Sequence, residues 1–232
     1  MEYIEDVEKK VVNALGCFRD NRATLTRYDS IEVLDWRRPN TVVYSVRMVF
    51  DAGRTNAVYI TGDLGEAIIR PTCKATLVDM ASCFTRWERG RIKVNCDYFM
   101  EKIAAASDLY EWSRDAFVED FKNRCKEYQL TPPDDFLDDL DGYFSPVEFF
   151  GNRPPVVSGD AQRDLEEMDG DYGEWIYDCG KRVSGRVVAW LVTLRLAVEQ
   201  IGKQQDAAAI IKDAVRPTPG IADESGRGKG NG

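Results

Sequence analysis

The sequence predicts an α+β fold: a four-strand antiparallel sheet running as a meander, helices packed on one face, and an acidic, mostly helical region appended. Three observations lead there. Residues 41–71 alternate polar and apolar positions with period two and are interrupted twice by turn chemistry, as consecutive half-buried strands require. On both sides of that block apolar residues recur instead at three and four, the spacing of an amphipathic helix. The charge is also uneven. Residues 131–178 carry fourteen acidic and two basic side chains, while residues 1–130 balance to −1 and residues 179–232 to +4, within a total of −9.

Ile4, Val7, Val11, Leu15 and Phe18 form the stripe of a first helix. Glu2, Glu5 and Asp6 in its first turn, with Lys9 and Lys10 further on, match the helix dipole. Residues 27–36 read as an edge strand, and residues 37–40 as a turn. Val42, Tyr44, Val46, Met48 and Phe50 then alternate with Val43, Ser45, Arg47 and Val49 along the next strand. Residues 51–56 are turn chemistry, and residues 57–61, rich in β-branched and aromatic side chains, are a strand. Gly62, Asp63, Leu64 and Gly65 make a tight connection into a strand at 66–70, which Pro71 stops.

The rest reads as helical. Thr72 is placed as the cap of a helix with the stripe Leu77, Met80, Ala81, Phe84 and Trp87, ending before Gly90. Tyr98, Phe99 and Ile103 start another, with Asp97 as its cap. Phe117, Phe121, Cys125 and Tyr128 mark a third, terminated by Thr131, Pro132 and Pro133. A short helix is expected at 134–141. Val183, Val187, Trp190, Leu191, Leu194, Val198 and Ile201 are the strongest stripe in the chain. Val188, Val192 and Leu196 fall off it, so this helix should be buried on more than one side, against the sheet. Gly202 should break it before an extension at 206–214. The expected division is a core at 1–130, an acidic region at 131–180, a C-terminal helix at 181–214 and a disordered tail at 215–232.

Composition excludes much chemistry. With no histidine there is no Ser-His-Asp triad, no Cys-His pair and no histidine base. Neither GxxxxGK[ST] nor GxGxxG occurs. The six cysteines stand in no C-x-x-C spacing and are expected to be reduced. No catalytic residue, metal or cofactor is assigned. The acidic first residues do not read as a signal peptide, and no run of 18 uncharged apolar residues spans a bilayer. The expected location is the cytosol of the cell that makes the protein.

Three sets of residues admit a functional reading beside a structural one. Asp63 and Glu66 could ligate a metal or work as an acid/base pair, or could simply serve a hairpin turn. Arg86, Arg89, Arg91 and Lys93 could contact phosphate, or complement a helix end. Residues 131–178 interleave aromatics with acids. Either the aromatics pack a core between solvated acids, or the surface imitates a polyanion and grips a basic groove.

A strand ending in an aromatic, a short turn, an apolar strand into G-D-x-G-E and, about 35 residues on, Y-F-x-E-K resembles a family of uncharacterised proteins encoded by bacteriophages, prophages and other mobile elements. The residues that carry the resemblance are Gly62, Asp63, Gly65 and Glu66, then Tyr98, Phe99, Glu101 and Lys102, within residues 28–125. It implies an accessory protein of the anti-defence, anti-CRISPR kind. The expected activity is therefore non-enzymatic inhibition of a host defence nuclease, a CRISPR-Cas effector. Its basic nucleic-acid channel would be occupied by Asp134, Asp135, Asp138, Asp139, Asp141, Glu166, Glu167, Asp169 and Asp171, acting as a DNA mimic. Neither a membrane nor direct nucleic-acid binding is expected. The rivals are a metal-dependent hydrolase using Asp63, Glu66, Asp79 and Glu101, and a phage accessory protein that self-associates through its sheet.

Overall fold

The computed structural model describes residues 2–106, 108–132, 136 and 159–214. Over these the chain is α+β with an antiparallel main sheet, but the sheet has six strands rather than four. They are β1 (Arg22–Tyr28), β2 (Ile31–Arg37), β3 (Val46–Asp51), β4 (Ala57–Gly62), β5 (Ala67–Ile69) and β8 (Ile103–Ala106), in that spatial order. The first five form a meander, and β8 adds to its far edge after an excursion of more than thirty residues.

Two differences from the sequence reading account for the strands at the near edge. Residues 27–36 are not one strand. They span the β1–β2 turn, where Asp29 takes a left-handed φ of 51° and Tyr28 pairs with Ile31. Asp tolerates that region because its short side chain bonds locally. Nor does the next strand begin at Val42. Residues 41–45 are a loop with Tyr44 at φ 55°, Val42 is 71% exposed, and the ladder starts at Val46. Alternation without burial does not make a strand.

From Val46 the period-two pattern holds. Leu25, Leu34, Met48, Ile60 and Ala67 lie in register across five strands on one face. The opposite face shows Thr24, Thr26, Tyr28 and Tyr59, all exposed. Helices cover the apolar face. Helix α1 (Glu2–Cys17) buries Val11 and Ala14, and Phe18 just beyond it meets Trp36 edge-on at 5.8 Å. Helix α2 (Leu77–Phe84) is capped by Thr76, not Thr72: the Thr76 hydroxyl accepts from the Asp79 backbone N–H and donates to its carboxylate. Its first N–H is taken by Glu32 Oε2 from β2 at 2.8 Å, a carboxylate at the positive end of a helix. The stripe stops at Phe84. Trp87 is exposed on β6 (Thr85–Glu88), which pairs with β7 (Arg91–Val94). Helix α3 (Cys96–Met100) is capped by Asn95, not Asp97, and Ile103 has left it for β8.

Helix α4 (Arg114–Tyr128) buries Phe117, Phe121 and Cys125; Tyr128, the last of its stripe, is exposed. The helix ends in a left-handed Gln129 before the prolines are reached. Helix α5 (Gly159–Met168) and two short 3-10 turns, Tyr172–Glu174 and Ile176–Asp178, follow. Val183 belongs to β10 (Lys181–Val183), paired with β9 (Tyr110–Trp112). Helix α6 (Gly185–Ala214) is thirty residues long and Gly202 does not interrupt it; its first part lies in the core, while residues 203–208 are exposed. Val187, Val188, Ala189, Trp190, Leu191, Val192, Thr193 and Leu194 are all buried. Over this stretch the helix is buried on every side, packed against α1, α2 and the sheet. Among the described residues no helix is long and apolar enough to cross a membrane. The expected helix at 134–141, apart from Phe136, and the expected disordered tail lie outside the described residues.

Candidate functional site: an acidic face on an aromatic platform

The described part of the acidic region is built on a second apolar cluster, separate from the main core. Phe117, Phe121 and Cys125 of α4 pack with Phe136, Leu165, Tyr172, Trp175, Ile176 and Cys179. Phe121 stacks on Phe136 at 4.7 Å and tilts against Trp175 at 5.8 Å. Such ring pairs stabilise beyond the area that they bury. Burial, with the Asp120 carboxylate nearby, pushes the Cys179 thiol up to about 12. Burial and the neighbouring Glu166 raise the Tyr172 phenol above its ordinary value. Of the aromatics in residues 131–178, Phe136, Tyr172 and Trp175 belong to this core and Tyr177 is exposed, while Tyr143, Phe144, Phe149 and Phe150 lie outside the described residues.

The acids lie outside that cluster, but not all are equivalent. Glu166 and Glu167 are exposed on α5, and Asp171 and Glu174 are exposed beyond it. Glu166 accepts only from Gln162, and Glu167, Asp171 and Glu174 have no cationic partner among the described residues. Asp169 differs. It is half-buried, with one oxygen accepting from Trp175 Nε1 at 2.8 Å and the other from the Asp171 backbone N–H at 3.0 Å. It holds the turn rather than facing a partner. Asp134, Asp135, Asp138, Asp139 and Asp141 lie outside the described residues.

Sequence reasoning missed what anchors this unit. Asp120 on α4 receives both arms of the Arg182 guanidinium, at 2.7 and 3.0 Å, and the Gly180 N–H at 2.8 Å. Gly180 sits at φ 76° with Phe117 and Ser113 so close that a Cβ would stand 2.8 Å from each. No local pattern in the sequence pairs residue 120 with residue 182.

The two halves of the G-D-x-G-E and Y-F-x-E-K pattern come together, and the arrangement is architectural. Each half leads directly into a strand, β5 after the first and β8 after the second, and these strands pair with Ile69 opposite Ile103. The Arg70 N–H donates to the Lys102 carbonyl at 2.8 Å. Phe99 is fully buried, edge-on to Phe84 at 5.2 Å, and the Lys102 ammonium lies 4.5 Å from the centre of the Tyr98 ring. Glu66 and Glu101 are exposed, Glu101 beside Lys102 at 3.5 Å. Asp63 works as a clamp: its carboxylate accepts from the Tyr44 N–H at 2.7 Å, and its own N–H donates to the Ser45 carbonyl at 3.1 Å. Asp79 is spent on its helix cap. Among the described residues no three His, Cys, Asp or Glu side chains are grouped to hold a metal ion. The Asp63 carboxylate is engaged in holding the 41–45 loop.

The basic cluster is largely paired. Arg86 meets Glu88 at 3.2 Å, Arg91 reaches Glu8 at 4.0 Å, and Lys93 bonds Glu8, which lowers that carboxyl below its usual range. Arg89 stands at φ 51° in the tight β6–β7 turn. No family model, curated protein or solved structure matches the chain.

Proposed function

We propose that the protein is a non-enzymatic binding protein, an inhibitor that sets its acidic face in the basic nucleic-acid channel of a partner. The partner class is a host defence nuclease of the CRISPR-effector kind, inferred from the resemblance to proteins of phages and mobile elements. One observation carries the binding step. Glu166, Glu167, Asp171 and Glu174 are exposed, without cationic partners among the described residues, on a platform of packed aromatic rings. A surface acid that only keeps a protein soluble needs no rigid mount. One that replaces a phosphate must hold its spacing before the partner arrives, so that little entropy is lost on docking. The five aspartates at 134–141 would extend the same field.

The test is charge reversal. Glu166→Lys, Glu167→Lys and Asp171→Lys together, and separately Asp134→Lys, Asp138→Lys and Asp141→Lys, should leave the melting temperature nearly unchanged, because exposed carboxylates add little to folding. Both sets should abolish inhibition of the nuclease recovered with the tagged protein from a host lysate, and wild-type binding should weaken as salt rises. Folded variants that bind as tightly as wild type, with no salt dependence, would sink this reading.

A further inference from the structure

At the end of the sheet away from the β1–β2 turn, Arg22 and Arg37 stand directly opposite each other as cross-strand partners. Like charges in that position oppose strand pairing. The nearest same-face carboxylate, Asp35, is engaged by Arg47. Arg27 meets Glu32, Arg38 meets Asp20 at 3.5 Å and Arg47 meets Asp35 at 3.7 Å, so the neighbouring arginines each have a carboxylate. Arg22 donates only to the Asn21 carbonyl, and Arg37 has no ion-pair partner among the described residues. In a chain of net charge −9, two cross-strand arginines without an ion-pair partner among the described residues are not a default surface.

The pair lines a groove of about 780 Å³ with Thr24, Asn40, Thr41 and Val42. Hydroxyl and amide donors thus flank the two cations, and Val42 adds an apolar edge. The wall formed by residues 39–44 is held in place. Tyr44, at φ 55°, donates its N–H to Asp63 at 2.7 Å, and its carbonyl accepts from Asn21 Nδ2 at 3.1 Å. The Val43 N–H bonds the Thr41 hydroxyl at 3.1 Å. A bulky residue keeps a left-handed conformation only where its surroundings over-determine it, and here they fix one side of a cationic groove.

We propose that this groove binds the phosphate of a small phosphorylated ligand, a phosphate monoester of mononucleotide size. Two arginines lining one groove can match phosphate oxygens in a way that a single lysine does not. The volume suits a nucleotide rather than a bare ion. The acidic region elsewhere on the chain disfavours a long polyanion.

Calorimetric titration of the full chain with adenosine 5′-monophosphate, inorganic phosphate, adenosine and a short single-stranded DNA tests this. The monophosphate should bind, adenosine should not, and Arg22→Gln with Arg37→Gln should weaken binding by about tenfold or more. Arg38→Gln, which removes a cation already paired with Asp20, should leave it unchanged. The glutamine variants remove a repulsion between exposed groups, so they should melt no lower than wild type, which separates lost binding from lost folding. Inorganic phosphate binding equally well, with the same arginine dependence, would keep the anion site and assign it to the free ion. No binding by either phosphate, binding that survives the double substitution, or tighter binding of the DNA than of the monophosphate would overturn the proposal.

Discussion

Asp120 and Arg182, 62 residues apart, meet in a two-point ion pair at 2.7 and 3.0 Å, and this contact ties the acidic unit to the strand that leads into the central helix. Asp120 sits on α4, whose Phe117, Phe121 and Cys125 belong to the second apolar cluster, and Arg182 on β10, immediately before α6. Both side chains are less than one-third exposed, so solvent screens the pair only in part.

Arg182→Ala should therefore destabilise the protein by roughly 1.5–3 kcal/mol, the range for hydrogen bonds to charged groups. Urea unfolding followed by tryptophan fluorescence reads this directly. Arg86→Ala, which breaks the exposed pair with Glu88, should cost less than about 1 kcal/mol. Equal losses in the two variants would mean that Asp120 and Arg182 do not anchor the unit.

Trp190→Ala should cost on the order of 3–5 kcal/mol, because the side chain is fully buried in the second turn of α6 and the cavity cannot collapse between helices and sheet. A near-neutral result in thermal melting would show that α6 is not the centre of the core. Trp190 Nε1 has no hydrogen-bond partner among the described residues, so an apolar replacement of similar size should recover most of the loss.

Two glycines should respond oppositely to alanine. At Gly62, φ is 129° and a Cβ would stand 2.6 Å from the Ser45 carbonyl oxygen, so Gly62→Ala should be strongly destabilising and should loosen the Asp63 clamp. At Gly202, inside α6, a Cβ meets nothing within 4 Å. Gly202→Ala should stabilise by about 0.5–1 kcal/mol through helix propensity alone. Melting temperatures of the two variants check both signs, and a destabilised Gly202→Ala would contradict the continuous helix.

The cysteines should differ sharply in reactivity. All six are free. Burial pushes the Cys96 and Cys179 thiols up to about 12, and burial with the neighbouring Cys83 thiol does the same to Cys73. At pH 8 such a group is thiolate only about once in ten thousand molecules, and the thiolate is the reactive form. Ellman's reagent should label these three slowly in the native protein and all six rapidly in denaturant. Raising the pH should speed the native reaction steadily through pH 10, since the thiolate fraction is still growing there. Native labelling of Cys96 or Cys179 at the denatured rate would refute the packing described.

The sequence by itself determined the α+β class, the antiparallel sheet, the first helix, α4 and the many-sided burial of α6. Each rests on hydrophobic periodicity, which is local. A side chain's position along a strand or around a helix follows from its neighbours within a few residues. The tertiary structure alone decided the rest. It placed β8 on β5, so that two separated motif halves became one joint. It turned residues 41–45, whose alternation reads as strand, into a loop pinned by Asp63. It divided the apolar residues into two clusters and joined them through Asp120 and Arg182. It set Arg22 opposite Arg37. These are contacts between residues distant in the chain, chosen by which surfaces can be buried together, and no window of sequence contains both partners.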